Sequence, residues 1–323
     1  MTEGYVVTVA CGPLVETEHT PLLVRWNMAF AHARTGWRRP VRQAAKMAFR
    51  LVHQRLGIPA TAHLRLGGPD GARVFQADMA NTTYSTVVLA ERSGGFEPDL
   101  AALLRQLASR LDTVFDVGAN CGFFSARLLT TPGFSGHVHA FELVPATYEA
   151  LTRMRRDCGF DASMTCHPFG LSSEAAKVCV DMGVHSSLAR VAERGSIHAD
   201  VKTLDSLDLP APDLVKIDVE GHETEVLDGA RRTLETALPF VVFESWYRPD
   251  DPAAMRAPFE RLAALGYRFF GLNGSRSPGG GIRLRLEPVT PGTRSNIRAQ
   301  LNVLAIPETR VATLNETFLP LND

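Results

Sequence analysis

Residues 113–122 read Thr-Val-Phe-Asp-Val-Gly-Ala-Asn-Cys-Gly, a short apolar run closed by a turn that carries two glycines. A helical stretch follows at once and reaches Leu129, which makes one strand–turn–helix unit. The same rhythm continues downstream. Val138–Phe141 predicts a second strand and Pro145–Arg156 a second helix, and Met164–His167, Val178–Val180 and Val201–Leu204 predict further short strands. Leu214–Asp218 is strongly apolar and precedes a helix around Glu225–Thr236, after which Phe240–Glu244 is another strand. Met255–Leu265 predicts a helix, Tyr267–Gly271 a strand and Asn302–Ile306 the last strand, with Ser277–Gly281 in a long loop where a lid could sit. Continuous apolar strands alternating with helices predict an α/β protein with a doubly wound, mostly parallel sheet covered on both faces.

In such a sheet, ligands bind beyond the carboxyl ends of the strands. Gly118 and Gly122 let the chain turn sharply without a Cβ in the way, and Asn120 tolerates a left-handed backbone. Glu142, directly after the second strand, can accept both hydroxyls of a ribose. A glycine turn after strand one and an acid after strand two signal a nucleoside-bearing cofactor. The spacing Gly118-x-x-x-Gly122 departs from the G-x-G-x-x-G dinucleotide fingerprint, and Asp116 two residues ahead of Gly118 would repel a pyrophosphate. That favours a sulfonium cofactor over NAD, while a plain βα turn is the other reading.

The runs Phe115-Asp-Val-Gly-Ala-Asn-Cys-Gly-Phe-Phe124, Ala140-Phe-Glu142, Val201-Lys-Thr-Leu-Asp205 and Leu214-Val-Lys-Ile-Asp-Val-Glu-Gly-His-Glu223 together resemble the FkbM family of S-adenosylmethionine-dependent methyltransferases. Leu227-Asp-Gly-Ala230, Phe243-Glu244 and Asn302-Val-Leu-Ala-Ile-Pro307 agree, so the resemblance covers about residues 96–307. It implies a class I methyltransferase fold, Rossmann-like, with seven strands of which the last is antiparallel. It also implies S-adenosyl-L-methionine as cofactor and O-methyl transfer to a hydroxyl of a small molecule, a polyketide, a sugar or a related secondary metabolite. An NAD-dependent Rossmann enzyme and a catalytically silent binding module of the same fold are the alternatives. In this chain Cys121 stands where the family more often has an aliphatic residue.

By analogy, Asp116, Gly118 and Asn120 border the methionine part of the cofactor, Glu142 the ribose, and Phe169 and Gly170 the adenine. Deprotonation of a hydroxyl acceptor wants a base or a metal ion. The candidates are Asp218, Glu220 and His222 after strand four and Glu244 at the end of strand five. Each has a plainer reading as a helix cap, a solvent-exposed side chain or a structural ion pair, Glu244 with Arg248 or Lys216 for example. Asp218 with Glu244 could instead hold Mg2+, since oxygen ligands suit a hard cation. His185-Ser186-Ser187, in a polar loop, is expected on the substrate side.

Composition limits the rest. The chain has 323 residues, 45% hydrophobic and 21% charged, with a formal net charge of −1, values of a globular protein and not of a disordered chain or a rod. Five scattered cysteines without a CxxC pair predict a reducing compartment, and Glu3 with no basic residue before Arg25 is unlike a secretory leader, so a cytoplasmic location is expected. No apolar run is long enough for a membrane span. The balance of charge is only an average. Between Pro21 and Pro69 there are nine basic residues and no acidic one. Residues 1–95 are therefore read as an appendage of helices and a β-hairpin, and residues 96–323 as the cofactor-binding domain. The helical part, residues 21–56, divides at Gly36 and Pro40, and Tyr84–Leu89 predicts a strand. The basic stripe is read as a solvated face, one that covers the neighbouring domain or the second copy of a homodimer, or as a surface for an acidic substrate or carrier protein, or for an anionic membrane. Nucleic acid is not expected, because no aromatic residues interleave with the arginines.

Overall fold

The computed structural model describes residues 4–9, 15–30, 38–67, 73–93, 95–181, 190–192, 197–277, 281–294, 297 and 299–320. The N-terminal third contains β1 (Tyr5–Val9), β2 (Val15–His19), α1 (Leu22–Ala29), α2 (Arg38–Phe49), β3 (Thr61–Leu66), β4 (Arg73–Asp78) and α3 (Thr82–Ser93). Then come α4 (Pro98–Leu107), β5 (Thr113–Val117), α5 (Phe123–Leu129), β6 (His137–Phe141), α6 (Pro145–Asp157) and β7 (Met164–His167). A side layer follows with β8 (Gly170–Leu171), β9 (Ala176–Asp181), β10 (Arg190–Ala192) and β11 (Ile197–Lys202). The chain returns through β12 (Leu214–Ile217), α7 (Glu223–Gly229), α8 (Arg231–Ala237), β13 (Phe240–Ser245), α9 (Pro252–Ala264) and β14 (Tyr267–Arg276). It ends with β15 (Ile282–Pro288), α10 (Pro291–Arg294), β16 (Leu301–Pro307), α11 (Ala312–Thr317) and β17 (Leu319–Pro320).

The large sheet has the order β17-β1-β15-β14-β16-β13-β12-β5-β6-β7. Its parallel pairs are β7 with β6, β6 with β5, β5 with β12 and β12 with β13, and β16 inserts antiparallel between β13 and β14. Those seven strands have the class I methyltransferase order, with the last strand in sequence, β16, the antiparallel one. Residues on neighbouring positions face opposite layers. Val114, Leu214 and Leu304 join one hydrophobic cluster, while Phe115, Val215 and Val303 join the other. That two-sided burial is why these strands read as unbroken apolar runs.

Three features depart from the sequence reading. The stretch after Gly271 is a hairpin and no long loop: β14 extends to Arg276 and pairs antiparallel with β15, so Ser277 and Gly281 belong to its turn. Tyr84–Leu89 is helical, part of α3. Tyr84, Val87 and Val88 are buried at i, i+3 and i+4, and the Asn81 side chain accepts from the Thr83 N–H at the helix start. Pro40 lies in the first turn of α2, where its missing N–H costs no helical bond, and a π-helical turn (Arg50–Arg55) prolongs that helix.

The N-terminal third meets the rest at several places. β1 pairs with β15 inside the large sheet, and β3 with β4 forms the expected hairpin, which lies against α6. Arg73 of that hairpin donates to the Cys158 carbonyl at 2.5 Å and lies over the Phe160 ring. Glu91 on α3 is buried against Arg127 on α5, with Oε1 2.9 Å from Nη2, and accepts the Phe96 N–H as well. Removing one partner of a buried ion pair strands the other charge. Glu91→Ala is therefore expected to cost about 3–5 kcal/mol. The check is thermal unfolding, in which Glu91→Leu combined with Arg127→Met should melt above either single variant.

Candidate functional site

The turn between β5 and α5 is fixed from below by its own amides. Gly118 and Ala119 N–H both donate to the Phe141 carbonyl, at 3.1 and 3.0 Å, so the tip of β5 is tied to the tip of β6. Asn120 takes the left-handed conformation (φ 51°), and its N–H donates to Glu142 Oε2 at 2.8 Å. The other carboxylate oxygen accepts the Val144 N–H at 2.8 Å. Glu142 thus fastens the glycine turn as well as facing the cavity, and burial pushes its carboxyl up to about 7 against the pull of those two N–H groups. Gly118 and Gly122 serve chain packing more than ligand approach. A Cβ on Gly118 would run into the Asp218 carbonyl oxygen, and one on Gly122 into the Leu151 and Met154 side chains.

Asp116 and Lys216 are register partners on β5 and β12. Lys216 is buried, and its Nζ lies 3.1 Å from Asp116 Oδ1 and 3.3 Å from Asp218 Oδ2. Ser125 Oγ donates to the second oxygen of Asp116 at 2.6 Å. The Asp116 carboxylate therefore faces Lys216 and Ser125 and does not line the cavity. Lys216, passed over in the sequence except as a partner for Glu244, is the cation of the site. The available signal was a lysine inside a strand otherwise wholly apolar, Leu214–Ile217.

Carboxylates crowd the tips of β12 and β13. Oxygens of Asp218, Glu220 and Glu244 can all lie within 4.8 Å of one another. Burial, then the charge of Asp218, raises Glu244 to about 8, and the same two causes raise Glu220 to about 7. Glu97, at the start of α4 with φ 42°, is also raised to about 7, first by burial and then by Asp218. Glu244 accepts from Trp246 Nε1 at 2.6 Å and from the Gln300 side chain. His222 has both ring nitrogens engaged, Nε2 with Ser172 Oγ at 2.9 Å and Nδ1 3.6 Å from Glu225, and burial lowers its pKa. As a donor set for Mg2+ the cluster fits poorly, because Asp218 already faces the Lys216 ammonium and the Glu244 oxygens already accept two side-chain N–H groups.

These groups share one cavity of about 310 Å³. It runs from Glu142, Leu143, Gly170 and Leu171 past the 118–121 turn to Glu97, Asp218, Glu220 and Glu244, with His222 also on its wall. Its walls are largely apolar and most of its ionisable groups are acids, five carboxylates beside Lys216 and His222, which suits a ligand with a flat apolar part and a cationic one. Phe169 does not line it. That ring lies beneath the Lys202 ammonium at 4.3 Å and against Phe141 and His167. His185, Ser186 and Ser187 lie outside the described residues. Residues the sequence did not single out include Glu97, Trp246 and Gln300, and also Thr83 and Val87, through which α3 supplies part of the wall. Trp246 had a signal, two positions beyond Glu244 at a strand end. Thr83 and Val87 had none, since a helix misread as a strand cannot be aimed at a pocket.

Residues 116–269 match the family model described as methyltransferase FkbM domain. The hexuronic acid methyltransferase AglP of Haloferax volcanii is 32% identical over 158 residues, covering 46% of this chain and 62% of that protein. This chain thus spans less than two thirds of that relative's length. Among solved structures, a methyltransferase FkbM from Methylobacillus flagellatus KT aligns with a TM-score of 0.41 at 16% identity over 71% of this chain and 61% of that one. The O-methyltransferase from Bacillus cereus in complex with SAH aligns with a TM-score of 0.38 at 12% identity, over 60% and 83% of the two chains.

Gly118 and Gly266 share φ 77°, but only Gly118 has backbone where a Cβ would go. Gly266→Ala is expected to cost about 1 kcal/mol, the ordinary left-handed penalty. Gly118→Ala is expected to exceed about 3 kcal/mol, because the β5 and β12 tips must separate as well. Equal thermal shifts for the two variants would show that the tips are not in contact.

Proposed function

We propose, from the match of residues 116–269 to the family model described as methyltransferase FkbM domain, that this chain transfers the methyl group of S-adenosylmethionine to a hydroxyl oxygen of a small polar acceptor, a sugar or a related secondary metabolite, free or carrier-bound. The observation that carries the reading is the single cavity joining Glu142 at one end to the carboxylates of Asp218, Glu220 and Glu244 at the other. The relative named as a hexuronic acid methyltransferase supports a sugar as the acceptor.

When bound, the cofactor would supply a methyl group to an acceptor oxygen in line, the O–C bond forming as the C–S bond breaks and the neutral thioether leaves. The protein's own share is positioning, charge and proton removal. Each Glu142 oxygen has a lone pair left beyond its backbone bond, enough to accept ribose hydroxyls. Leu143, Gly170 and Leu171 would give the adenine a flat apolar wall, and the 118–121 turn would border the methionine part. Glu97 and Asp218 place negative charge where a sulfonium would lie, which favours the cationic donor over the neutral product. Glu244 is the base. Its carboxyl is held at about 8, close to working pH, and Trp246 and Gln300 fix its orientation. Glu220, whose oxygens can come within 4.8 Å of those of Glu244, is placed to share that proton. His222, neutral and engaged at both nitrogens, positions the turn beside the cavity. No metal enters the proposal.

Calorimetric titration is expected to give micromolar binding of S-adenosylhomocysteine and no heat with NAD, and the reverse outcome ends the reading. Glu142→Ala should weaken that binding by about 1–3 kcal/mol, and unchanged affinity would remove the ribose role. A base whose pKa is raised to about 8 is protonated and idle below that value, so turnover should climb as pH passes from 7 to 9. Glu244→Gln should flatten that limb and cut turnover by about 10²–10⁴. A limb that survives in the variant assigns the proton elsewhere.

A further inference from the structure

The helix α2 with its π-helical extension has apolar groups on both of its sides. Its inward side is Ala45, Phe49 and His53, all buried. Other large apolar groups face solvent: Met47 is 71% exposed and Leu51 50%, followed by Leu56 at 61% and Ile58 at 49%. Eight large hydrophobic side chains are exposed among the described residues, and six of them, with Leu22 and Trp26, fall between residues 22 and 58. The same stretch holds eight basic residues and no acid. A membrane span is not in question, since no helix of the described residues is long and apolar enough.

Lys46 and Arg50 are exposed and four residues apart, as are Met47 and Leu51 one position on. On a helix this spacing sets a basic stripe directly beside an apolar one. Arg39 and Arg55 extend the exposed positive charge towards either end. A solvated helix face has no use for Met and Leu at such exposure, and an acidic protein or nucleic acid would need the charge alone. Cations flanking protruding apolar side chains match one environment, the interface of an anionic bilayer, where phosphates meet acyl chains.

We propose that the outer face of residues 39–58 docks this protein on the surface of an anionic lipid membrane, Met47 and Leu51 entering the interface and Arg39, Lys46, Arg50 and Arg55 meeting headgroup phosphates. The docking stands apart from methyl transfer and holds for any chemistry in the cavity.

The test is flotation of the full chain with vesicles of phosphatidylcholine alone or of phosphatidylcholine with phosphatidylglycerol at roughly three to one. Binding to the anionic vesicles is expected to exceed binding to the neutral ones by about tenfold or more, and to fall at high salt. Met47→Ser with Leu51→Ser should weaken it about tenfold or more with an unchanged melting temperature, because both side chains are exposed. Equal affinity for the two vesicles overturns the proposal. So does a double variant that binds like wild type, since charge alone would then suffice. A wild-type dimer that the double variant converts to monomer overturns it too, by showing that a second copy covers the patch.

Discussion

The buried ammonium of Lys216 is the interaction on which the site depends. Lys216 is the register partner of Asp116 at the boundary where the chain stops adding strands towards β7 and restarts towards β13, and its ammonium touches the carboxylates of Asp116 and Asp218. Burial alone would lower its pKa, yet the charges of Asp116 and Asp218 outweigh burial and hold it above its ordinary value. Loss of one partner from such a group costs about 3–5 kcal/mol, so the switch point of the sheet is closed by charge as well as by backbone bonds.

One ammonium cannot balance the acids around it. Asp116 and Asp218 already match it twice over, and Glu97, Glu220 and Glu244 then share the same cavity. Burial and mutual repulsion keep all three partly protonated near neutral pH. Any ligand that brings positive charge to this end of the cavity lets them ionise. A ligand carrying a fixed cation on an uncharged nucleoside meets Glu142 at one end and this cluster at the other, whereas a pyrophosphate would meet acids at both.

The large sheet was legible because its strands are buried on both faces and read as short apolar runs between glycine turns, Thr113–Val117 and Leu214–Ile217 above all. The elements that escaped are those in which local pattern and tertiary context disagree. Tyr84–Leu89 is β-branched, yet its buried side chains recur at helical spacing. β15 alternates Ile282, Leu284 and Leu286 with Arg283 and Arg285, a two-residue period that was present in the sequence and hidden by the nearby Gly-rich segment. In the site, acids following strands were legible from position alone. Which of them would face the cavity was not, because Asp116 is turned away by Lys216, a partner a hundred residues distant.

The division of charge along the chain now has a spatial meaning. A net charge of −1 conceals an acidic cavity at the strand tips and a basic, apolar-studded helix in the N-terminal third. The cavity acids are partly buried and largely neutralised by Lys216 and by their own raised pKa values, so little of their field reaches solvent. Arg39, Lys46, Arg50 and Arg55 are exposed, where they act over about 8–10 Å at physiological salt. An anionic surface therefore meets the positive helix without opposition from the site. α3 of the same N-terminal third contributes Thr83 and Val87 to the cavity wall, while no described residue of α2 lines it.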